Sequence, residues 1–219
     1  VFPGVEWMAG FEGNERSGYA FTSLTSPSFE ARVTPVARMT LSHLYYAYQD
    51  ANGETQVVSP GFGFGVGIRW RPVGFSLTAL AGFEGRQTTE YASTSSISAR
   101  ADLGVSTSID AYVQANARLA FAIGGYYGFA HEYVWARALA KHQIVPIEGS
   151  AITKLSLGVD ATIHGNQLVR GADGGVLAEL AIPGIETSIG LRAGLGREIQ
   201  PGARPVPIVS IGASIYTTF

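Results

Sequence analysis

The sequence predicts an all-β fold: a transmembrane, antiparallel, up-and-down β-barrel of about twelve strands, with both termini on the periplasmic side. Three observations predict it. Apolar and polar residues alternate with a period of two in segment after segment, and a strand sends alternate side chains to opposite faces, one toward lipid and one toward a polar lumen. Only 15% of the 219 residues are charged and 28 are glycine, against about 25% charge in ordinary soluble domains. No run approaches the ~18 consecutive apolar residues of a spanning helix; the longest, such as Leu119 to Ile123, are far shorter. A chain of this composition without such a helix can cross lipid only as a closed barrel, because only helices and closed barrels pair every backbone group in hydrocarbon.

In chain order the strands are expected at 5–12, 18–25, 30–48, 56–71, 74–87, 96–113, 118–130, 133–144, 151–164, 172–182, 185–197 and 206–219. The fourth shows the pattern most plainly. Phe62, Phe64, Val66, Ile68 and Trp70 take one face; Gly61, Gly63, Gly65, Gly67, Arg69 and Arg71 take the other. After a tight turn at Pro72-Val73, Phe75, Leu77, Ala79, Ala81 and Phe83 alternate with Ser76, Thr78, Gly82, Glu84 and Arg86, with Leu80 the one apolar misfit on the polar face. The sixth strand sets Ile97, Ala99, Ala101, Leu103, Val105 and Ile109 against Ser98, Arg100, Asp102, Gly104, Ser106 and Asp110. The ninth sets Thr153, Leu155, Leu157, Val159, Ala161 and Ile163 against Lys154, Ser156, Gly158, Asp160, Thr162 and His164. The eleventh sets Ile185, Ile189, Leu191, Ala193 and Leu195 against Glu186, Ser188, Gly190, Arg192 and Gly194. Helices would return apolar residues every three or four positions instead. The whole of 1–219 reads as a single barrel domain, with no linker or low-complexity segment.

An even strand count puts both termini on one side, as in single-chain bacterial barrels. The links at Ser26-Pro27, Pro72-Val73, Asn116, Pro146 to Gly149 and Pro183-Gly184 look short. Those at Gln49 to Thr55, Gln87 to Ser95, Gly165 to Gly171 and Glu198 to Arg204 look longer and are expected to face outward from the cell. The chain begins at Val1 without methionine and is read as a processed product whose leader has been removed. Absence of cysteine suits export through an oxidising compartment, and a net charge of −2 gives no reason to expect nucleic acid as a partner.

At the carboxyl end, Val209, Ile211, Ala213, Ile215, Thr217 and Phe219 lie on one face. This resembles the terminal signature that the barrel-insertion machinery reads, with Phe219, Thr217 and Ile215 as its core. Trp70, Phe75, Tyr112, Tyr216 and Phe219 sit near one set of strand ends. Tyr45, Tyr46, Tyr48, Tyr127, Phe129, Tyr133 and Trp135 sit near the other, as expected of interfacial girdles.

Several stretches resemble the BcsS-type cellulose-biosynthesis proteins. EWMAGFEGNERSGYAF (6–21) is similar to that family's first hairpin, and LYYAYQ (44–49) to an aromatic strand end before a loop. EYVWARALAKHQI (132–144) resembles its aromatic-Trp-Ala-Arg strand, and LGVDATIHGNQLVRGADGGVLAEL (157–180) the strand–loop–strand with a Gly-Asn turn that follows. TSPSFEARVTPVARM (25–39) departs from the pattern, with two prolines where a glycine-led turn is expected. The resemblance implies an outer-membrane barrel encoded with bacterial cellulose synthesis, and it carries over no catalytic residues.

Other chemistry is sparse. GFGFGVG (61–67) lacks the Gly-Lys-[Ser/Thr] ending of a phosphate loop, and its glycines fall on every second residue, along one face of a strand. The four histidines, His43, His131, His142 and His164, form no metal-binding spacing, so no metal or cofactor is expected. His142 would face outward, where some outer-membrane hydrolases hold a Ser–His pair, but no serine partner can be named. The inward charges are more informative. Strands 3–8 carry Arg32, Arg38, Arg69, Arg71, Arg86, Arg100, Arg118, Arg137 and Lys141 against Glu30, Glu84, Asp102 and Asp110. Strands 9–12 and 1 carry Glu6, Glu12, Asp160, Glu179, Glu186 and Glu198 against Lys154 and Arg192. One wall would be basic and the other acidic, giving either a transverse field across a narrow conduit or a salt-bridged plug. The rows of inward glycines, 61–67 and 190–196, would leave space and favour the conduit. Arg69, Arg71, Glu84, Arg86, Arg100, Asp102, Arg137, Asp160, Glu179 and Arg192 are the expected pore lining. Tyr45, Tyr48, Tyr127 and Trp135 are the expected aromatics of the outer mouth, suited to girdle anchoring or to stacking on sugar rings. The function expected is a narrow pore or accessory protein for exopolysaccharide secretion in the bacterial outer membrane, with lipid, the insertion machinery, polysaccharide and other envelope secretion components as partners. A closed docking barrel, an outer-membrane hydrolase and a soluble calyx-type barrel are the alternatives.

Overall fold

Each strand pairs antiparallel with the next, and the last returns to the first. The structure is a computed structural model that describes residues 4–27, 31–50, 53–92, 97–130, 132–145, 154–182, 185–200 and 202–219. Among these it forms β1 (Glu6–Gly13), β2 (Ser17–Thr25), β3 (Val33–Asp50), β4 (Gly53–Trp70), β5 (Phe75–Ala92), β6 (Ile97–Gln114), β7 (Leu119–Gly128), β8 (Tyr133–Val145), β9 (Lys154–Gly165), β10 (Arg170–Ile182), β11 (Thr187–Ile199) and β12 (Val206–Thr218). They make one closed barrel. Its seam is β1 against β12, from Glu6 opposite Thr218 to Gly13 opposite Ile211. Both termini lie at one mouth, called terminal below; the other is distal.

The period of two decides which side chain meets what. Phe62, Val66, Ile68, Leu103, Val159, Leu191 and Leu195 are exposed on the outer surface, while Arg69, Glu84, Arg86, Asp160 and Arg192 are buried inside. Such an outer face is stable only against lipid. Arginine in place of Leu191, which is 62% exposed near mid-height, is therefore expected to destabilise the inserted barrel by about 2–4 kcal/mol. Urea unfolding in lipid vesicles measures this; an unchanged midpoint would mean that the face does not meet hydrocarbon.

The strands outrun the sequence expectation at the distal mouth. β3 continues to Asp50, β4 starts at Gly53 directly opposite it, and β5 runs to Ala92. The polar residues read as long links, such as Glu54, Thr55 and Thr88 to Glu90, are therefore strand. Above the bilayer there is no lipid to make outward positions apolar, so the contrast fades while the ladder continues. The expected asymmetry of link lengths is accordingly not found: the widest spacings between strands, 26–32 and 146–153, lie at the terminal mouth. Glu30, His131 and Thr153, and the links at 51–52, 93–95, 146–149 and 183–184, lie outside the described residues.

Three hairpins use the same turn chemistry. Asn14, Asn116 and Asn166 each accept, through Oδ1, the backbone N–H groups two and three residues on, at 2.7–3.0 Å; an asparagine side chain thereby imitates a backbone turn. At the Pro72-Val73 turn, Gly74 takes φ +73°, which only glycine adopts without strain.

Height is uneven. β3 to β6 hold 18 residues each, whereas β1 holds 8. At ~3.3 Å per residue and a tilt of ~40°, 18 residues rise about 45 Å, well past an apolar band of ~25 Å. β6 meets β7 only from Ser106 onward, so Ile97 to Leu103 stand above the β7–β8 hairpin as a projecting wall.

Candidate functional site

The inner faces build three levels of side chains. At the terminal mouth Glu6 on β1 accepts from Arg69 Nη1 and Nη2 (2.5 and 2.8 Å) on β4 and from Arg71 Nη2 (3.0 Å) just past its end, while Arg69 Nε donates to Thr78 Oγ1 at 2.9 Å. Arg38 on β3 pairs with Asp110 on β6 at 2.8 Å, and Lys141 on β8 with Glu179 on β10 at 2.6 Å. Apart from Arg69–Thr78, which are ladder partners on β4 and β5, none of these pairs joins neighbouring strands; the long side chains reach through the lumen.

At mid-height the pairs converge on Arg192 of β11. Its Nε donates to both Asp160 oxygens (3.0 and 2.8 Å), its Nη1 to Ser210 Oγ (2.8 Å) and to Glu12 Oε1 (2.8 Å), and its Nη2 to Asp173. Arg137 on β8 also binds Asp160 and lies 3.9 Å from Glu12 on β1. β8 and β1 stand on nearly opposite sides of the ring, so Glu12, Arg192, Asp160 and Arg137 form an ionic chord across the lumen.

Beneath the distal mouth Arg86 Nε donates to Glu84 Oε2 at 3.2 Å, and the Tyr126 hydroxyl donates to the same carboxylate. Around them Leu44, Tyr46, Val57, Tyr133 and Val169 form a buried cluster, flanked by Tyr19, Tyr48, Tyr126 and Trp135. A strap crosses the short strands at the rim. Ser17 Oγ donates to Glu198 Oε2 (3.1 Å), Gln200 Nε2 to the Ala47 carbonyl (3.1 Å), and the Gln49 N–H to Gln200 Oε1 (3.0 Å).

One cavity of about 1230 Å³ remains inside. Its lining runs from Glu6, Arg71 and Glu186 at the terminal mouth to Tyr46, Val169 and the turn residues Asn14 and Asn166 at the distal one. Exposure divides it. The side chains of Arg71 and Asp110 keep 43% and 45% of their surface, whereas those of Glu84, Arg86 and Arg192 keep 4% and those of Asp160 and Asp173 none. The most exposed of these polar side chains lie in the terminal half, the vestibule, although Arg69 there keeps only 4%; in the distal half ion pairs and tyrosines crowd the cavity, which still reaches the Asn14 and Asn166 turns.

Of the expected lining residues, Arg69, Arg71, Glu84, Arg86, Arg137, Glu179 and Arg192 border the cavity, and Asp160 lies buried behind them in the chord. Arg100 and Asp102 pair with each other at 3.1 Å on the part of β6 that runs beyond β7, where Asp102 stands across the ladder from Arg86, and neither borders the cavity. The two walls are not left as opposed charge. Basic residues of β4 and β8 reach the acids of β1, β9 and β10. The inward glycines do not leave open space at the points that matter either. A Cβ on Gly61 would lie 2.9 Å from Arg86 Cγ, and one on Gly194 would lie 3.0 Å from both Arg192 Nη atoms; these glycines seat the guanidinium groups. Tyr48 and Trp135 turn inward against the cluster, while Tyr45 and Tyr127 lie on the alternate, outer face, Tyr127 edge-on to Phe129 at 4.6 Å. Tyr112 and Tyr216 line the vestibule and so do not belong to a girdle, unlike the Trp70–Phe75 pair outside (5.4 Å). Ile215, Thr217 and Phe219 lie along the seam, where Phe219 N–H donates to the Val5 carbonyl at 3.0 Å. Asp173, Gln200 and the apolar inward residues Leu139 and Leu177 were not anticipated. Strand parity marks Asp173, which shares a face with Gly175, Leu177 and Glu179; Gln200 lies beyond a strand end and carries no such signal. His142 faces outward, and among the described residues its neighbours across the ladder are Leu119 and Leu157, neither of them a serine.

The whole barrel is similar to a solved structure, the β domain of the Bordetella autotransporter BrkA, with a TM-score of 0.57, 10% identity, and coverage of 99% of this chain and 100% of that one. A structure described as the CymD monoaromatic hydrocarbon channel scores 0.46 at 7% identity, over 100% of this chain and 89% of its own. No curated protein matches in sequence. Residues 7–197, from Trp7 in β1 to Arg197 in β11, match the family described as Cellulose biosynthesis protein BcsS, and the chain belongs to that family.

Proposed function

We propose that this chain is an accessory barrel of cellulose export in the bacterial outer membrane, with both termini and the wet vestibule facing the periplasm and the distal mouth closed at rest. Family membership supports the link to cellulose. The apolar outer belt supports the membrane. The projecting β3–β6 wall supports the orientation, since bacterial barrels extend on the outer side and turn tightly on the periplasmic one. The observation that carries the closed state is the cluster of buried tyrosines and the Glu84–Arg86 ion pair beneath the distal mouth. A barrel built this way receives material from one side and releases it only when the packed half rearranges. It is a gated conduit or docking cup rather than a standing pore.

The test is a strain lacking the chain, complemented with it or with an empty vector. Loss of surface cellulose at unchanged synthase level, restored by the chain in the outer-membrane fraction, is the expected result. Normal surface cellulose in the deletion strain would refute the role.

A further inference from the structure

Inside the vestibule the strands β6, β7 and β8 form a trough. β7 contributes only small inward residues along its lower half, Ala120, Ala122 and Gly124, and the register sets each between larger side chains. Ala122 lies between Tyr112 and Leu139, Gly124 between Asp110 and Arg137, and Ala120 beside Lys141. Upward the trough ends where Tyr126 stands beside Trp135. The benzo edge of the Trp135 indole would lie 3.2 Å from a Cβ on Gly124, so the missing side chain is what keeps that ring clear. The backbone levels of Tyr112 and Trp135 differ by four residues along β7, about 13 Å at 3.3 Å per residue; the Trp135 ring reaches back over Gly124, two residues of β7 from the Tyr112 level, and Lys141 Nζ lies 6.0 Å from the Tyr112 ring centroid.

We propose that this trough binds a neutral, extended sugar chain, with Tyr112 and Trp135 as stacking platforms at its two ends. The chemistry selects the ligand. Its charges are already matched: Asp110 with Arg38 (2.8 Å), Lys141 with Glu179 (2.6 Å), and Arg137 with Asp160. An ionic ligand would have to break a pair. A polyol would not, because each hydroxyl both donates and accepts and can join an existing pair from the side. Asp110 keeps nearly half its side chain exposed although paired, and its Oδ1 points toward Gly124, into the trough. Half-buried aromatic rings with a negative face suit the C–H faces of a pyranose. A concave site with an apolar floor and a few fixed polar groups is the usual form of a small-ligand site. The proposal rests on the cellulose-export reading for the identity of the sugar.

Tryptophan emission gives the test, because the chain has three tryptophans and Trp7 and Trp70 lie on the outer face. In the full chain carrying Trp7→Phe and Trp70→Phe, purified in detergent and checked for heat-modifiable migration, cellohexaose is expected to shift Trp135 emission saturably. Tyr112→Ala should weaken binding about tenfold, and Gly124→Leu, which fills the trough, should abolish it. A flat titration of the folded protein, or unaltered binding by folded Gly124→Leu, would overturn the proposal. A flat titration beside a cellulose defect in the deletion strain removes the trough alone; saturable binding beside normal export removes the export reading and leaves the trough.

Discussion

Methionine in place of Arg192 is expected to destabilise the barrel by about 3–5 kcal/mol, the cost of removing one partner from a buried ion pair. Arg192 is the common donor to Asp160, Asp173, Glu12 and Ser210. Methionine fills much of its volume but leaves two fully buried carboxylates facing each other with only Arg137 to offset them. The loss comes less from the pairs themselves than from the charge left behind without water or a counter-ion. Adding Asp160→Asn and Asp173→Asn to the same chain should recover most of it, since the amides need no cation. Urea unfolding in detergent, followed by tryptophan emission, measures both steps. A shift below about 1 kcal/mol for the single variant would mean that the chord does not hold the barrel.

Alanine at both Tyr46 and Tyr133 is expected to turn a silent protein into a conducting one. The two rings belong to the buried cluster beneath the distal mouth, with Leu44, Val57 and Val169. Removing them opens a space on the one side of the lumen where the ionic chord is not the obstacle. Water can fill that space, because Arg86, Glu84 and Tyr126 border it with polar groups. In planar bilayers the parent should show no resolved steps, and the double variant should show discrete openings. Large aromatic deletions cost about 3–5 kcal/mol each, so heat-modifiable migration must first show that the variant is folded. A folded variant that stays silent, or a parent that conducts steadily, would contradict the closed resting state.

The architecture was legible because lipid imposes a strict rule on every second residue. Val66, Leu103, Val159 and Leu191 could be placed outside from their neighbours alone, and so could all twelve strands. The rule weakens where its cause ends. Above the bilayer, Glu54, Thr55, Thr88 and Glu90 read as loop because both faces are polar, yet the backbone ladder continues through them. Inside the lumen the sequence tells which way a side chain points but not how high it stands. Whether Arg137 meets Glu12 or Lys141 meets Glu179 depends on the stagger between strands that are not neighbours. The glycines were ambiguous for another reason: nothing in the sequence marks that Arg86, directly across the ladder from Gly61, and Arg192, two residues before Gly194 on the same strand, fold their side chains over them. Leu80, an apparent misfit on a polar face, belongs with Leu139 and Leu177, since a lumen that is half packed needs apolar filler as well as charge.

The seam joins residues 6–13 to residues 211–218, almost the full length of the polypeptide apart. No stretch of chain can finish the cylinder early, and a contact so remote in sequence is slow to find by diffusion alone. Until it forms, two ribbons of unmatched amide groups would confront hydrocarbon at several kcal/mol per group. Spontaneous entry is therefore slowed at its last step rather than its first, and whatever shelters both ribbons until they zip together speeds it.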